Sequence, residues 1–372
     1  MSHSKAHLIC YTFISALSIN GFCMMATRTT SADDQTPAAA VTVEQKHKNI
    51  QVLKGMPETQ LVPVMNFMST SLGVRCNYCH VKNGDNWDFV ADTKPEKSMA
   101  REMIKMVLNI NKTTFKGTTE VSCYSCHRGR TRVPGVPALP IPAIADQLTA
   151  NGTSTRPQLP TIDALLAKYE ESLGGAAALG QFKTRVMKGT FITVEGTEVP
   201  YEVYQSAPNK LHSIRKGSLA FEGVFDGTTG WVKNSAGVNE IKGEQLVDLK
   251  RFVNFFRDIK LQEQFARMTV SGKEKIDDRE VYVVRANSAD GRRERLFLDA
   301  ETGLLVRRIS YIDSMIGIIP EQTDFSDYRV VDGIKLPFTV KTYSVDPHNV
   351  VTRRFSEIRI NVPLDDSNFR KP

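Results

Sequence analysis

The sequence predicts two structural units, a small and mostly α-helical segment followed by an antiparallel β (α+β) domain. A chain of 372 residues is longer than a single domain with one hydrophobic core usually is. Its apolar residues recur at helical spacing before residue 132 and alternate at strand spacing after residue 182. A proline-rich stretch with little charge, residues 133–160, separates the two patterns and is predicted to be a linker.

Composition and charge narrow the class of protein. With 41% hydrophobic and 24% charged residues, the chain is globular in composition, which excludes a disordered or fibrous protein. The net charge of +7 is concentrated in residues 45–132, where 14 Lys and Arg stand against 7 Asp and Glu. No apolar run after the first 30 residues reaches the ~18 residues that mark a membrane-spanning helix.

The N-terminus has the layout of an export signal, since an apolar stretch at residues 8–26 precedes a polar leader. We therefore expect a signal peptide at residues 1–26, a flexible leader at residues 27–45 and an exported, periplasmic protein. An uncleaved anchor is the alternative, because the first residues carry one full charge, Lys5. Such an anchor would associate the protein with the membrane. Lipidation at Cys23 is disfavoured by the bulky residue before it.

The cysteines left after signal removal form two C-x-x-C pairs, each followed directly by a histidine. The two motifs are Cys76, Cys79 and His80, then Cys123, Cys126 and His127. In a haem c site the two thiols bond to the porphyrin, and the histidine at this spacing binds the iron. Two such motifs within 52 residues, behind an export signal, predict two covalent haems c.

Three other cysteine chemistries fit less well. A zinc site of four thiolates typically places about 15–20 residues between its pairs, whereas 43 residues intervene here. A disulfide within each pair would close only a tiny loop and would leave both histidines unexplained. A thioredoxin-like redox pair requires a βαβ context, which this segment lacks.

Methionines are the leading candidates for the remaining iron ligands. Of seven histidines, only His47 is left over within the basic segment, whereas six of the twelve methionines fall within residues 56–106. Two helical patterns carry them. Residues 57–74 place four apolar side chains on one face: Leu61, Met65, Met68 and Leu72. Residues 92–112 begin with a capping box and stack Met99, Met103, Met106 and Ile110 on one face, with Arg101, Glu102 and Lys105 turned away.

Residues 61–80 and 100–129 resemble the cytochrome subunit of photosynthetic reaction centres, whose repeating unit is a helix with an axial methionine, a turn and C-x-x-C-H. The resemblance implies a dihaem cytochrome c domain at residues 46–132. It implies Met65 with His80 on the first iron, Met103 with His127 on the second, and Met68 and Met106 packed against the haems. The photosynthetic subunit carries four motifs and this chain two, so a general two-haem electron carrier fits better than a dedicated photosynthetic role.

The second unit, residues 161–372, is predicted to be an antiparallel meander. A short helix at its start is followed by alternating segments separated by turn signals such as Asp332-Gly333. One helix is predicted within the meander at residues 244–265, where Leu246, Leu249, Val253 and Phe256 share a face. A curved sheet that this helix packs against or plugs is expected. The domain resembles the β half-barrel of outer-membrane lipoprotein carriers.

The β domain carries no recognisable catalytic motif: it lacks a nucleophile elbow, a phosphate loop and H-E-x-x-H. Its histidines, His212 and His348, are isolated and are predicted to be structural. We therefore predict that the chain is not an enzyme. The apolar run at residues 315–319 has two interpretations, the mouth of an acyl-chain site or a segment that completes the core.

Two functions from different classes remain. The first is a periplasmic dihaem c-type cytochrome that passes single electrons between redox protein partners through His/Met-ligated haems. The alternative is a lipid- or protein-binding half-barrel module, in contact with a lipid or membrane surface, with the haem domain as a redox sensor. A haem iron with both His and Met as ligands cannot bind a small gas without losing the methionine, so this ligation favours the electron carrier. A nucleic-acid partner is not expected, because four haem propionates would offset the basic surplus.

The motifs generate the first prediction. Replacing Cys79 and Cys126 by Ser removes one thiol from each motif, so the exported protein should keep little covalent haem. Haem staining on a denaturing gel measures it. Normal haem content in this double variant would contradict the interpretation of both motifs.

Overall fold

The computed structural model describes residues 41–84, 86–133, 135, 159–235, 237–345 and 350–372. The predicted signal peptide, most of the leader, most of the linker and His348 lie outside the described residues. Across the described ranges, no helix is long and apolar enough to cross a membrane.

The N-terminal segment is mostly helical. Its helices are α1 (Val43–Lys46), α2 (Leu61–Leu72), α3 (Cys76–Cys79), α4 (Pro95–Thr113) and α5 (Cys123–His127). A short antiparallel ribbon of β1 (Val81–Asn83) and β2 (Asn86–Asp88) lies between α3 and α4. Pro63 and Pro95 fall in the first turns of α2 and α4, where a missing backbone N–H costs nothing. The two long helices therefore lie within a few residues of their predicted positions.

The second unit is one antiparallel sheet, with thirteen strands among the described residues. They are β3 (Thr184–Ile192), β4 (Glu198–Ser206), β5 (Lys210–Arg215), β6 (Phe221–Phe225), β7 (Gly230–Asn234), β8 (Gly237–Ile241), β9 (Arg267–Ile276), β10 (Arg279–Asn287), β11 (Arg293–Asp299), β12 (Leu305–Ser314), β13 (Gly317–Val331), β14 (Ile334–Ser344) and β15 (Val350–Ile360). Each strand pairs with its neighbours in sequence, except that β3 and β15 pair with each other and β8 and β9 form the two edges. The predicted fold class is confirmed to this extent: a few helices accompany a large antiparallel sheet.

Four helices accompany the sheet: α6 (Ile162–Leu173), α7 (Gly175–Gln181), α8 (Gly243–Phe252) and α9 (Leu261–Gln264). The stretch predicted as one helix at residues 244–265 is therefore two helices with a turn between them. The side chain of Asn254 accepts a hydrogen bond from the Phe256 N–H at 3.0 Å. The Phe255 N–H donates to the Pro208 carbonyl at 2.9 Å. Because these donors bond outside the helix, α8 ends before them.

One apolar core fills the space between the sheet and its helices. It includes Leu211 of β5 and Val284 of β10, which lie far apart in the strand order, together with Tyr169 of α6 and Leu249 of α8. Strands from distant parts of the sheet thus contribute to the same core, so the sheet bends around the helices. The alternating burial along β4 and β5 is the period-2 pattern that the sequence shows.

The fold generates a stability prediction. Phe182 is fully buried, and its ring centroid lies 4.6 Å from that of Phe255. Phe182→Ala should lower the free energy of unfolding by about 3–5 kcal/mol, because it leaves a cavity in the sheet's core. Urea unfolding followed by circular dichroism measures this loss. Val330→Ala, at a side chain that is 63% exposed, should change it by less than about 0.5 kcal/mol. Equal losses in the two variants would contradict the assignment of this core.

Candidate functional site

The first motif follows α2 through a tight turn at Gly73. This residue has φ 66°, and a Cβ there would lie 2.2 Å from the Gly129 carbonyl oxygen. The Gly129 N–H donates to the Ser71 carbonyl at 2.9 Å. Because Gly129 follows the second motif by two residues, the end of α2 is bonded to the chain that leaves that motif. Only glycine combines this backbone conformation with so close an approach.

The helices pack against both motifs. Helix α2 lies against α5, which carries the second motif, and α4 lies against both α3, which carries the first motif, and α5. The Lys94 ammonium, next to the start of α4, donates to the Asn77 carbonyl within the first motif. The structure therefore places the two sequence motifs within one group of packed helices.

His80 is half-buried at the end of the first motif. Its ring packs edge-on against Phe89, with centroids 5.1 Å apart. Its Nδ1 is buried and has no hydrogen-bond partner within the described ranges. Burial lowers the pKa of His80, and the nearby cations Lys97, Arg101 and Lys94 lower it further. Both effects favour the neutral ring, which is the form that binds a metal.

His127 has a defined ring orientation. Its Nδ1 lies 2.9 Å from the Arg130 carbonyl oxygen. Because a carbonyl only accepts hydrogen bonds, Nδ1 carries the proton, and in the neutral ring Nε2 keeps its lone pair. Metal-binding histidines commonly make this bond, which fixes the ring and leaves the other nitrogen for the metal. The role of Arg130 could not be recognised from the sequence, since its backbone carbonyl is the acceptor.

The four cysteines of the motifs are free thiols. Cys76 and Cys126 are exposed, whereas Cys79 and Cys123 are half-buried. Burial raises the pKa of the Cys79 and Cys123 thiols. Across the part of the chain that the structure describes, no three His, Cys, Asp or Glu side chains converge into a metal site.

The methionine faces lie at the margin of the protein's own core. On α4, Met99 is 60% exposed, Met106 is 43% exposed and Met103 is half-buried, while Ile104 and Val107 on another face are buried. On α2, the predicted face is half-buried throughout: Leu61, Met65, Met68 and Leu72. Met99 and Met106 thus leave an apolar surface on α4, a helix that packs against the first motif, and such a surface suits an apolar ligand.

The opposite face of α4 departs from the expectation that Arg101 turns to solvent. Arg101 and Lys97 are both buried, and each lies 2.9 Å from the Asp92 carboxylate. Lys97 also donates to the carbonyls of Phe89 and Ala91, at 3.0 and 2.7 Å. Two cations are tolerated inside because acceptors surround both charged groups. The sequence pattern missed this because it counts apolar residues and assigns charged ones to the outer face.

Two other histidines have structural partners. His47 Nε2 lies 3.1 Å from the Glu58 carboxylate. His212 uses both ring nitrogens, with the Asn368 carbonyl and Glu222 each at 2.9 Å. A cavity of about 420 Å³ lies beside the first motif, and its lining includes Arg75 and Lys94.

Comparisons with known proteins separate the two units of the chain. Residues 18–148 match the family model of the photosynthetic reaction centre cytochrome C subunit. The chain is 34% identical over 119 residues to cytochrome c-554 of Chloroflexus aurantiacus, which covers 28% of this chain and 27% of that protein. It is 31% identical over 104 residues to the reaction center cytochrome c subunit of Rubrivivax gelatinosus, covering 26% and 25%. The chain thus spans about a quarter of the length of these relatives.

Among solved structures, similarities cover a little over half of the chain. A LolA superfamily protein from Nitrosomonas europaea matches 57% of this chain and 99% of its own, with a TM-score of 0.39 and 15% identity. A DUF1329 family protein from Desulfovibrio piger matches 56% and 97%, with a TM-score of 0.38 and 15% identity.

The charge network around Asp92 generates a pH prediction. Hydrogen bonds from Arg101, Lys97 and Asn49 hold the pKa of the Asp92 carboxyl well below its usual range. A carboxylate with a depressed folded-state pKa stabilises the fold above its unfolded pKa of about 3.9 and loses that effect as pH falls. Asp92→Asn should therefore be less stable than the parent at pH 7, and the difference should narrow below about pH 4.

Thermal unfolding across this pH range measures the difference. The matched control is Glu102→Gln, which removes an exposed carboxylate paired with Lys105 on the outer face of α4. It should change stability little at any pH. A deficit of Asp92→Asn that stays constant from pH 7 to pH 3 would contradict the role of the charged network.

Proposed function

We propose, on the premise that residues 18–148 are a relative of the reaction centre cytochrome C subunit family, that this protein is a two-haem c-type cytochrome that passes single electrons between redox proteins. The observation that carries the proposal is a combination that occurs twice: two thiols that form no disulfide, a histidine directly after them, and a preceding helix with partly exposed methionines. Because the chain spans about a quarter of its relatives, its partners are proposed only as redox proteins.

Each motif has the residues that a covalent haem requires. Cys76 and Cys79 would hold the first haem and Cys123 and Cys126 the second. Each thiol would add its sulfur to one carbon of a vinyl group and its proton to the adjacent carbon, so attachment would need no oxidant and no leaving group. When bound, a c-type haem gains or loses one electron at its iron.

Helical geometry supports Met65 as the ligand opposite His80. Helix α2 bonds to the second motif through Ser71 and packs there with its buried face, which includes Phe67. At 3.6 residues per turn, Met65 lies about 160° around the helix from Phe67, so it faces away from the second motif. This leaves Met65 available to the first motif, which α2 precedes directly.

The same reasoning supports Met103 as the ligand opposite His127. The start of α4 meets the first motif around Lys94 and Lys97. Met103 lies about 120° around the helix from Lys97 and so faces away from the first motif. Met68 and Met106 would then pack against the two rings, as the family resemblance implies.

The residues around the motifs would hold the ligands still. The Arg130 carbonyl fixes the His127 ring, and Phe89 packs against the His80 ring. With histidine and methionine both in place, neither iron would keep an open position for a substrate. This coordination favours outer-sphere electron transfer over catalysis and an electron carrier over a sensor of small gases.

The export signal and the redox chemistry favour a periplasmic location. Haem propionates would lie in a segment rich in cations, and the cavity beside the first motif is lined by Arg75 and Lys94 together with one carboxylate, Glu96. The net charge of the haem-bound domain should therefore be much closer to zero than the +7 that its amino acids alone would give. This supports redox proteins rather than nucleic acid as partners.

Ligand substitution tests the proposal. Met65→Ala and Met103→Ala should each remove about half of the sulfur-to-iron charge-transfer band, lower one of the two midpoint potentials and open one iron to carbon monoxide. Met68→Ala and Met106→Ala are the matched controls and should do none of these. The visible spectrum with spectroelectrochemical titration measures all three effects.

Chains with a single haem assign each methionine to its motif. With Cys123 and Cys126 replaced by Ser, Met65→Ala should abolish the remaining charge-transfer band, and Met103→Ala should leave it intact. The opposite result would mean that the ligands are exchanged between motifs. A band that survives both substitutions would overturn the methionine assignment altogether.

A further inference from the structure

The hairpin of β12 and β13 extends from the sheet into the N-terminal segment. Ser314 pairs with Gly317 across its two-residue turn. Ile312, Ile316 and Ile319 of this hairpin are 6%, 0% and 2% exposed. All three belong to the same apolar cluster as Val64, Phe67 and Ile104 of helices α2 and α4. The apolar run at residues 315–319 therefore completes a core, and that core is the N-terminal segment's own.

Two hydrogen bonds hold α2 against the sheet. The Gln60 side chain donates to the Asp313 carbonyl at 3.4 Å, and the Asn66 side chain donates to the Ser344 hydroxyl at 3.0 Å. The contact thus combines an apolar centre with two hydrogen bonds, one from the residue before α2 and one from the middle of the helix. Such a contact fixes the position of α2 and of Phe67, which lies beside the turn of the hairpin.

The turn of the hairpin also touches the start of the second motif. A Cβ at Gly317 would lie 2.9 Å from the Ser122 Cβ and 3.1 Å from the Phe67 ring. Gly317 has φ 148°, a backbone conformation that favours glycine. Ser122 is the N-cap residue of α5, and Cys123 next to it packs against the shared cluster.

We propose that the turn of the β12–β13 hairpin is a positioning element for the second haem site, with Ile316 and Gly317 setting Phe67, Ser122 and hence Cys123. The proposal rests on the proposed function for the haem itself, and goes beyond it by giving the β domain a part in that site. Ile316 is buried in the same cluster as Phe67 of α2 and Ile104 of α4, and Gly317 lets Ser122 approach without a side chain between them. Among the described residues, neither the hydrogen bonds of this hairpin nor the atoms closest to Gly317 involve the first motif.

The position of this contact predicts an asymmetric effect. Enlarging Gly317 or shortening Ile316 should move the α5 end of the segment, where Cys123 and His127 lie. The first motif follows α2 after the turn at Gly73 and has no contact with Gly317 among the close approaches given above. It should therefore be affected less. Loss of a purely structural contact would lower stability without preferring one haem.

Paired substitutions in the full-length holoprotein test the proposal. Ile316→Ala is compared with Leu296→Ala, which shortens a side chain that is also 0% exposed but lies in the sheet's own core. Gly317→Ala is compared with Gly272→Ala, where a Cβ would meet nothing within 4 Å. The readouts are the two midpoint potentials and the fraction of each motif's peptide that carries haem by mass spectrometry.

Ile316→Ala and Gly317→Ala should shift one midpoint potential and lower haem occupancy of the Cys123–Cys126 peptide relative to the Cys76–Cys79 peptide. Leu296→Ala should lower stability and leave both ratios unchanged. If Ile316→Ala does not accumulate, Ile316→Val preserves most of the packing and should shift the same potential in the same direction. Unchanged potentials and equal occupancy in all the hairpin variants would overturn the proposal.

The controls separate this proposal from the proposed function. Parent protein without covalent haem would overturn the function, whatever the hairpin variants do. Parent protein with two haems, and hairpin variants that behave like Leu296→Ala, would overturn only the positioning role. A loss that affects both motif peptides equally would also count against that role.

Discussion

Helix α2 must present two different faces to two different neighbours, and the arrangement of the N-terminal segment depends on keeping them apart. One face, with Val64, Phe67 and Ser71, is buried against α5 and the sheet hairpin. The other face, with Met65 and Leu72, stays half-buried. Rotation of the helix by about a quarter turn would move Met65 into the place of Val64 and bury its thioether group. The bonds at Gln60 and Asn66 oppose that rotation.

The positions of long helices and strands followed from local patterns in the sequence. Methionines at helical spacing gave α2 and α4, and alternating residues gave the strands of the sheet, because period alone determines which side chains share a face. The break between α8 and α9 did not follow, since it depends on Asn254 and on a carbonyl from a distant turn. A pattern of apolar residues carries no information about such bonds.

The surroundings of the motifs were only partly predictable. The cysteines and histidines are recognisable because covalent attachment imposes a strict spacing on them. The Arg130 carbonyl and the buried Lys97 and Arg101 were not, because a backbone acceptor has no sequence signature and an enclosed ion network looks like a solvated surface. The apolar run at residues 315–319 was recognised, but its neighbour across the fold was not. Contacts between distant parts of a chain leave no local pattern in the sequence.

The hairpin has a consequence for the order of events during synthesis. Ile316 leaves the ribosome long after both cysteine pairs, so the core that buries Phe67 and encloses Cys123 stays incomplete until much of the sheet has been made. During that interval the thiols belong to an open chain. An enzyme that modifies the cysteine thiols can therefore reach them only until the last strands pair. The C-terminal half of the protein sets the time at which the N-terminal half closes.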